Sequence, residues 1–282
     1  MNEQRLDTFV CVHQRDVNNL LELVLRAYEV NFRAKGRLVF VTNDLPYLKA
    51  FCERTGVAEG AVFTSDSDWL SKQEQQLSGW YRQQIIKLRA YEFCETPNFC
   101  NLGADTVLLQ PIEASDLVVN GFPILYYTSH PLPDPHSRFE RERVENVGRI
   151  LGVKPTQAAR YYDFINDLFC FNGDALRSLN HYLVQRYGDE PYEAILRGVD
   201  NSSTGNQFGE WTLYSVYLLD VLKRPLELRN TKSGFLHQVH SKLSLRTYRF
   251  NTKVAHFVGK DFDTSYIKQQ IARRNLELYN YL

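Results

Sequence analysis

Residues 78–111, SGWYRQQIIKLRAYEFCETPNFCNLGADTVLLQP, combine a helix-like segment, a short polar break and an apolar run that ends at an acidic residue. In the first part, apolar residues recur every three and four positions, which predicts a helix that begins near Ser78. Pro97 lies in the break, and the short run from Phe99 to Ala104 predicts a buried strand. The stretch therefore predicts a helix followed by a strand that ends at Asp105.

Asp105 is the first candidate for a functional residue. A carboxylate at the end of a buried strand needs a partner, because an unpaired buried charge is costly. In open α/β sheets, ligands bind beyond the carboxyl ends of the strands. Asp105 is therefore expected to contact a cation or a phosphate-bearing ligand. The alternative is a turn or helix-capping residue whose carboxylate accepts nearby backbone N–H groups.

The amino-terminal segment predicts a strand, a helix and a second strand. Leu6–His13 and Arg37–Thr42 are rich in β-branched and aromatic residues, and Asp16 is expected to cap the helix between them. Such a unit predicts parallel pairing with a right-handed crossover. Neither G-x-G-x-x-G nor G-x-x-x-x-G-K-[ST] occurs, which argues against a dinucleotide-binding Rossmann protein and a P-loop NTPase.

Composition indicates an ordinary globular protein and excludes several function classes. The chain has 282 residues, of which 44% are hydrophobic and 23% charged. Lys plus Arg equals Asp plus Glu at 33 each, so the chain has no net positive charge that would attract it to nucleic acid. The five cysteines form no C-x-x-C pair and match no structural zinc spacing, which is typical of reduced thiols.

No segment is expected to direct the chain into or across a membrane. The first 16 residues contain no apolar region of signal-peptide length, and no stretch approaches 18 apolar residues. The prediction is a cytoplasmic protein. Peripheral contact with the inner face of the membrane stays open, because the predicted last helix is amphipathic.

The helix GWYRQQIIKL followed by a strand ending in GADTVLLQP resembles the GT-A glycosyltransferases. It is most similar to bacterial capsule-type transferases, in which a W-x-x-Q-Q-x-x-K-L helix precedes an Asp-x-Asp strand. The resemblance implies an α/β fold, with one GT-A-like (Rossmann-like) domain over residues 1–282 and a mainly parallel central sheet flanked by helices. It also implies a helical insertion at about 139–168 and a C-terminal helix at 264–282.

The resemblance implies where a nucleotide sugar would bind. The residues expected to contact it are His13, Arg15, Asn43, Asp44, Trp80, Gln83, Gln84, Lys87, Asp105, Asn172 and Lys260. The loops after the first two strands would hold the base and ribose. Two alternatives stay open: residues 43–46 could form only a turn, and the polar residues of the central helix could be its solvated face.

Catalytic candidates lie in DNSSTGNQFGEWTLYSVYLL, residues 200–219. Glu210, Leu213 and Tyr214 reproduce an E-x-x-L-Y pattern of related transferases, in which the acid precedes a helix. Glu210 is therefore expected to act as general base toward an acceptor hydroxyl, with Asp200 as a second catalytic candidate. The alternative for Glu210 is a first-turn acid that stabilises its own helix.

A divalent cation, Mn²⁺ or Mg²⁺, is the cofactor that the resemblance implies, with Asp105 and His256 as ligands. His256 begins a segment similar to H-x-x-G-x-K, shortened by one residue before Lys260. Gly103 occupies the first acidic position of the Asp-x-Asp pattern, so metal use is open. His256 could instead be a buried structural residue.

The function expected on these grounds is a hexosyltransferase-type glycosyltransferase. It would move a sugar from a nucleotide-sugar donor to a glycan or lipid-linked acceptor, in bacterial surface polysaccharide synthesis, without a nucleic-acid partner. The alternative is a non-catalytic GT-A-like module that binds a partner, which Gly103 supports. A nucleotidyltransferase ranks lower, because residues 1–20 contain no glycine.

Overall fold

A computed structural model describes most of the chain. The residues described are 4–129, 135–156, 162–196, 208–231, 235–239, 252–257 and 264–272. The strands are β1 Leu6–Val12, β2 Lys35–Thr42, β3 Val62–Ser65, β4 Asn98–Leu102, β5 Thr106–Leu108, β6 Val118–Val119, β7 Phe122–Pro123, β8 Leu125–Ser129, β9 Tyr162–Asp163, β10 Leu168–Asn172, β11 Leu228–Asn230, β12 Leu236–Val239 and β13 Val254–Phe257. The helices are α1 Asn19–Asn31, α2 Leu45–Thr55, α3 Gly79–Leu88, α4 Ala114–Leu117, α5 Pro135–Leu151, α6 Gly173–Tyr187, α7 Pro191–Leu196, α8 Glu210–Val216 and α9 Thr264–Ala272.

The central sheet has five strands in the order β10-β4-β1-β2-β3. Four of them, β1 to β4, run parallel, which confirms the mainly parallel sheet expected from the sequence. The fifth, β10, pairs with β4 in the antiparallel direction, with Leu168 opposite Leu102 and Asn172 opposite Asn98. The amino end of β10 therefore lies at the same sheet edge as the carboxyl ends of β1, β2 and β4.

Successive residues of the central strands contribute to opposite faces of the sheet, as the pleat requires. In β4, Cys100 and Leu102 pack with one hydrophobic cluster that includes residues of α1 and α2, whereas Phe99 packs with another that includes residues of α3, α6 and α8. The sheet is thus buried on both faces, as a parallel sheet usually is. Within the described residues, no helix combines the length and apolar character needed to cross a bilayer.

A second, three-stranded sheet has the order β12-β13-β5. β13 pairs antiparallel with β5, and His256 lies opposite Thr106. The chain leaves the central sheet at the end of β4 and enters the second sheet at the start of β5, across residues 103–105. This short connection brings the end of β4 close to His256.

Helix boundaries follow local capping, with one difference from the sequence prediction. Ser78 immediately precedes α3, so the predicted start of the central helix is confirmed. Asn18, rather than Asp16, caps α1: its Oδ1 accepts the N–H groups of Leu20 and Leu21. Asp16 belongs instead to a short 3₁₀ turn at Gln14–Asp16. An asparagine cap satisfies the same free N–H groups as an aspartate cap.

The region between β8 and β10 contains the long helix α5, which contacts α8. The insertion expected at about 139–168 is not helical throughout, because Tyr162 and Asp163 form the short strand β9 against β8. Residues 157–161 lie outside the described residues. The predicted insertion boundaries, 139–168, stay a prediction, as does the C-terminal helix beyond α9.

The junction of β10, α6 and α8 offers a test of the packing. The Asn172 N–H donates to Tyr214 Oη over 2.9 Å in a buried site. Tyr214→Phe removes the acceptor and leaves a buried N–H unpaired, so we expect a loss of about 1–3 kcal/mol in the free energy of unfolding, measured in urea. Tyr47→Phe, on a side chain that is 46% exposed, is the matched control. Equal, small effects of both changes would contradict this packing.

Candidate functional site

A cleft lies at the sheet edge where the carboxyl ends of β1 and β4 meet the amino end of β10. Its lining residues come from the β1–α1 loop, α3, the β4–β5 connection, the segment before β10, the start of α8 and β13. They are Cys11, Arg15, Asp16, Asn18, Leu20, Trp80, Gln83, Lys87, Asn101, Leu102, Gly103, Ala104, Asp105, Ile165, Asp167, Trp211 and His256. Cations, carboxylates and aromatic rings thus converge at one edge, where ligands bind in open α/β sheets.

A smaller cleft adjoins the first and shares Cys11 and Gln83 with it. His13 and Asn43 line this smaller cleft, as do Asp66 and Arg82, which form an ion pair at 3.3 Å. Asn43 Oδ1 accepts the N–H of Gln14 over 3.0 Å. This bond ties the loop after β2 to the loop after β1, so the two loops form one wall.

Asp105, His256 and Asp167 form a connected cluster in the larger cleft. His256 Nδ1 lies 2.7 Å from Asp167 Oδ2, and His256 Nε2 lies 3.5 Å from Asp105 Oδ2. Burial lowers the pKa of His256, but the two carboxylates, Asp167 foremost, outweigh burial and raise this pKa to about 10. In the protein without other ligands, the imidazole is therefore protonated at neutral pH.

Backbone pairing fixes the positions of these three residues. The Phe257 N–H donates to the Asp105 carbonyl over 3.0 Å, which extends the β5–β13 ladder to Asp105. The Gly103 N–H donates to the Asp167 carbonyl over 2.7 Å, which extends the β4–β10 ladder in the same way. The cluster therefore rests on three strands that are held in register by two ladders.

Helix α3 presents Trp80, Gln83 and Lys87, at helical spacing, to the larger cleft. Lys87 Nζ lies 2.8 Å from Glu210 Oε1 and 4.3 Å from the centre of the Trp211 ring. Both the carboxylate and the ring face stabilise an ammonium ion. Burial lowers the pKa of Lys87, but Glu210 outweighs burial and raises it, so Lys87 is a cation at the wall of the cleft.

Glu210 itself is fully buried behind Lys87 and does not line the cleft. Its backbone N–H, at the start of α8, donates to Gln84 Oε1 over 3.0 Å. Burial raises the pKa of Glu210 and the neighbouring Lys87 offsets only part of this increase, so that the pKa is about 7. In this structure the general-base role predicted for Glu210 lacks access to the cleft, because Lys87 lies between.

Several other predicted residues lie outside both clefts. Gln84 is buried and binds the backbone of Glu210. Asp44 caps α2 by accepting the Tyr47 N–H, which matches the turn alternative. Asn172 lies at the opposite sheet edge, beside Asn98, because β10 runs antiparallel to β4, and there it caps α6. Asp200 and Lys260 lie outside the described residues.

Eight predicted residues line the two clefts: His13, Arg15, Asn43, Trp80, Gln83, Lys87, Asp105 and His256. Sequence reasoning missed Asp167 and Trp211, which also line the larger cleft. Asp167 directly precedes β10. A residue before a strand reaches the cleft edge of the sheet only if that strand runs antiparallel to its neighbours, and the sequence did not predict this direction for β10. Trp211 follows Glu210 directly and faces Lys87.

Asp105 and His256 are the residues that could hold a cation in the cleft. Across the parts of the chain that the structure describes, no group of three or more His, Cys, Asp or Glu side chains is arranged to bind a metal ion. Two ligands from the protein are nevertheless common for divalent ions that also bind substrate phosphates. The site thus fits an ion shared with a ligand better than an ion held by the protein alone.

Comparisons with known proteins identify the fold. A model described as "Family of unknown function (DUF6492)" matches residues 7–253. No curated protein matches the chain. Among solved structures, galactosyltransferase LgtC, in complex with donor and acceptor sugar analogues, matches with 12% identity and a TM-score of 0.51, over 98% of this chain and 96% of that chain.

The bifunctional glycosyltransferase WbbM, in an apo structure, matches with 10% identity and a TM-score of 0.53. That match covers 100% of this chain and 52% of WbbM, so this chain spans about half of that protein. At such identities the similarity establishes the fold. The chain therefore has a GT-A-like glycosyltransferase fold, as the sequence predicted.

Glu210→Gln tests whether burial controls the charge of Glu210. Because the pKa of Glu210 is raised from its ordinary 4.5 to about 7, the folded protein keeps a proton that the unfolded chain releases. The free energy of unfolding of the wild type should therefore fall relative to Glu210→Gln as the pH rises through this window. At about 1.4 kcal/mol per pKa unit, the relative loss is about 3 kcal/mol.

Urea unfolding of both proteins at about pH 4, 6 and 8 measures this difference. Near pH 4 the side chain at position 210 is neutral in both the wild type and the variant, so their free energies of unfolding should differ least. A stability difference that stays constant over the whole range would show that Glu210 ionises as it does in the unfolded chain.

Proposed function

The chain belongs to DUF6492, a family of unknown function, and we propose that it is a glycosyltransferase that uses a nucleotide-sugar donor. The observation that supports this most is the cleft at the edge of a GT-A-like sheet, where cations and the Asp105–His256 pair face each other. A ligand with a charged diphosphate and a polar sugar matches such a lining. The fold alone leaves the chemistry open.

The base and ribose of the donor are proposed to bind in the smaller cleft. His13 and Asn43 lie there on the two joined loops after β1 and β2. The cleft combines apolar side chains, Val12, Val41 and Ile86, with polar groups, which suits the apolar faces and the polar edges of a planar base. Gln83 lines both clefts, so it lies where the nucleoside would meet its phosphates.

The diphosphate is proposed to lie between Lys87 and Arg15 in the larger cleft. Lys87 is held as a cation by Glu210, and its side chain is only 8% exposed. A buried cation interacts more strongly with a phosphate than an exposed one, because water screens it less. Arg15 is exposed, with a side chain that is 59% accessible, and can turn toward the ligand. Glu210 thus acts through Lys87 in this proposal.

A divalent ion between Asp105 and His256 is part of the proposal. Asp105 and His256 would hold this ion, since Asp105 Oδ2 and His256 Nε2 lie 3.5 Å apart and both side chains can act as metal ligands. The mixed oxygen and nitrogen donors favour Mn²⁺ over Mg²⁺. Such an ion would stabilise the negative charge of the leaving nucleoside diphosphate.

The acceptor is proposed to be a glycan or a lipid-linked sugar, within bacterial surface polysaccharide synthesis. Trp80 lines the larger cleft and is 38% exposed, which leaves an aromatic surface for a sugar ring. Trp211 lies behind it, with ring centres 6.0 Å apart. A hexose as the transferred sugar and a peripheral membrane contact are further parts of this proposal.

A thermal-shift screen of UDP-, GDP-, CMP- and dTDP-sugars, each with and without Mn²⁺, tests the proposal. We expect one nucleotide class to raise the Tm, because a ligand that binds only the folded state stabilises it. The Mn²⁺-dependent part of the increase should disappear in Asp105→Asn. Asp174→Asn, on a carboxylate that is 89% exposed, should behave like the wild type.

Product analysis of the stabilising donor separates transfer from binding. Release of free sugar or its transfer to a glycan supports the transferase. Stabilisation without any turnover favours the non-catalytic binding module, and the absence of stabilisation by every class overturns the proposal.

A further inference from the structure

Asp167 is a carboxylate of the larger cleft for which the sequence patterns predicted no role. It directly precedes β10, and its carbonyl accepts the Gly103 N–H over 2.7 Å. This bond continues the antiparallel ladder one step beyond the pair Leu168 and Leu102. Asp167 therefore lies directly across from Gly103, next to Asp105 in space.

Asp167 occupies the space that a side chain at position 103 would need. A Cβ added to Gly103 would lie 3.0 Å from Asp167 Cβ, 3.0 Å from Asp105 Oδ1 and 2.7 Å from Thr106 Oγ1. Real Cβ atoms rarely approach other atoms so closely, and the backbone on both sides is paired in ladders. A side chain at position 103 would therefore require Thr106, Asp105 and Asp167 to shift from their present positions.

The side chain of Asp167 points at the ring of His256. Asp167 Oδ2 and His256 Nδ1 are 2.7 Å apart, and both side chains are only 15% exposed. With Nδ1 turned to Asp167, the other ring nitrogen, Nε2, faces Asp105 Oδ2 at 3.5 Å. A carboxylate on one histidine nitrogen fixes the ring orientation and increases the basicity of the other nitrogen.

We propose that Asp167 is a positioning residue of the cation site. It holds His256 so that Nε2 and Asp105 face one ion, and it brings from β10 the negative charge that position 103 lacks. The two carboxylates and the imidazole then form a row in which Asp167 acts through His256. This inference rests on the proposed function, because it requires a cation at Asp105 and His256.

The first test measures Mn²⁺ alone, by the EPR signal of free Mn²⁺ during titration of the full chain. Asp167→Ala should lower the Mn²⁺ affinity by about 10–100-fold, the usual effect of losing such a partner. Asp105→Asn removes a proposed ligand and is the positive control. Asp174→Asn, at the exposed end of the opposite sheet edge, controls for the loss of one negative charge.

A spectroscopic signature distinguishes positioning from a general loss of charge. Pulsed EPR detects the coupling of bound Mn²⁺ to an imidazole nitrogen. We expect this coupling in the wild type and its loss in Asp167→Ala. Asp167→Asn keeps an oxygen beside Nδ1 but removes the negative charge, so it should retain the coupling and bind Mn²⁺ more tightly than Asp167→Ala.

The Asn variant keeps the test valid if Asp167→Ala does not fold, which circular dichroism in the absence of metal would reveal. In that case, an Asp167→Asn protein with no nitrogen coupling would overturn the inference. Wild-type Mn²⁺ affinity and full nitrogen coupling in Asp167→Ala would overturn it too. If Asp105→Asn loses Mn²⁺ binding in the same experiment, the cation site exists but does not depend on Asp167. If the wild type binds no Mn²⁺, the inference fails, whereas Mn²⁺-independent stabilisation by a nucleotide sugar would leave the transferase proposal standing.

Discussion

The three-residue connection at 103–105 is the constraint on which the site depends. β4 ends in the central sheet at Leu102, and β5 begins in the second sheet at Thr106. Both ends of this connection are bound in ladders, through Gly103 to β10 and through Asp105 to β13. Because the backbone on either side is hydrogen-bonded to a neighbouring strand, the side chain of Asp105 lies where the two sheets meet. The register of the β4–β10 pair brings Asp167 to the same place, and the register of the β5–β13 pair brings His256 there.

Local sequence patterns were enough to predict the parts of this arrangement that depend on neighbouring residues. The periodicity of α3, the apolar run of β4 and the strand–helix–strand unit at the amino terminus all predicted elements that the structure contains. The sequence placed Asp105 at the end of this strand, whereas β4 ends three residues earlier, at Leu102, and Asp105 lies in the connection to β5. What local patterns could not supply was the direction of β10. An apolar strand has the same alternation read either way, so Asn172 was placed at the wrong sheet edge and Asp167 was overlooked.

Glu210 illustrates a second limit of sequence reasoning. Its place at the start of a helix was predicted correctly, and a first-turn acid there is ordinary. Its surroundings depend on the packing of α8 against α3, which lie more than 120 residues apart in the chain, as the Gln84 to Glu210 hydrogen bond shows. Spacing within either helix contains no information about that contact. Lys87 and Glu210 therefore looked like two independent candidates, although they are one buried ion pair.

The charges of the cleft give this pair a physical reason to take part in the proposed binding of a diphosphate. A nucleotide diphosphate would bring negative charge toward Asp105 and Asp167, which already repel it, so binding needs cations on the facing wall. Arg15 is exposed, so water weakens its interaction with a phosphate. Lys87 is shielded from water, and Glu210 and the face of the Trp211 ring keep it charged. Burial makes such a pair expensive for the fold, since two desolvated charges rarely recover their full hydration. A cost of this kind is typical of residues retained for a ligand rather than for stability.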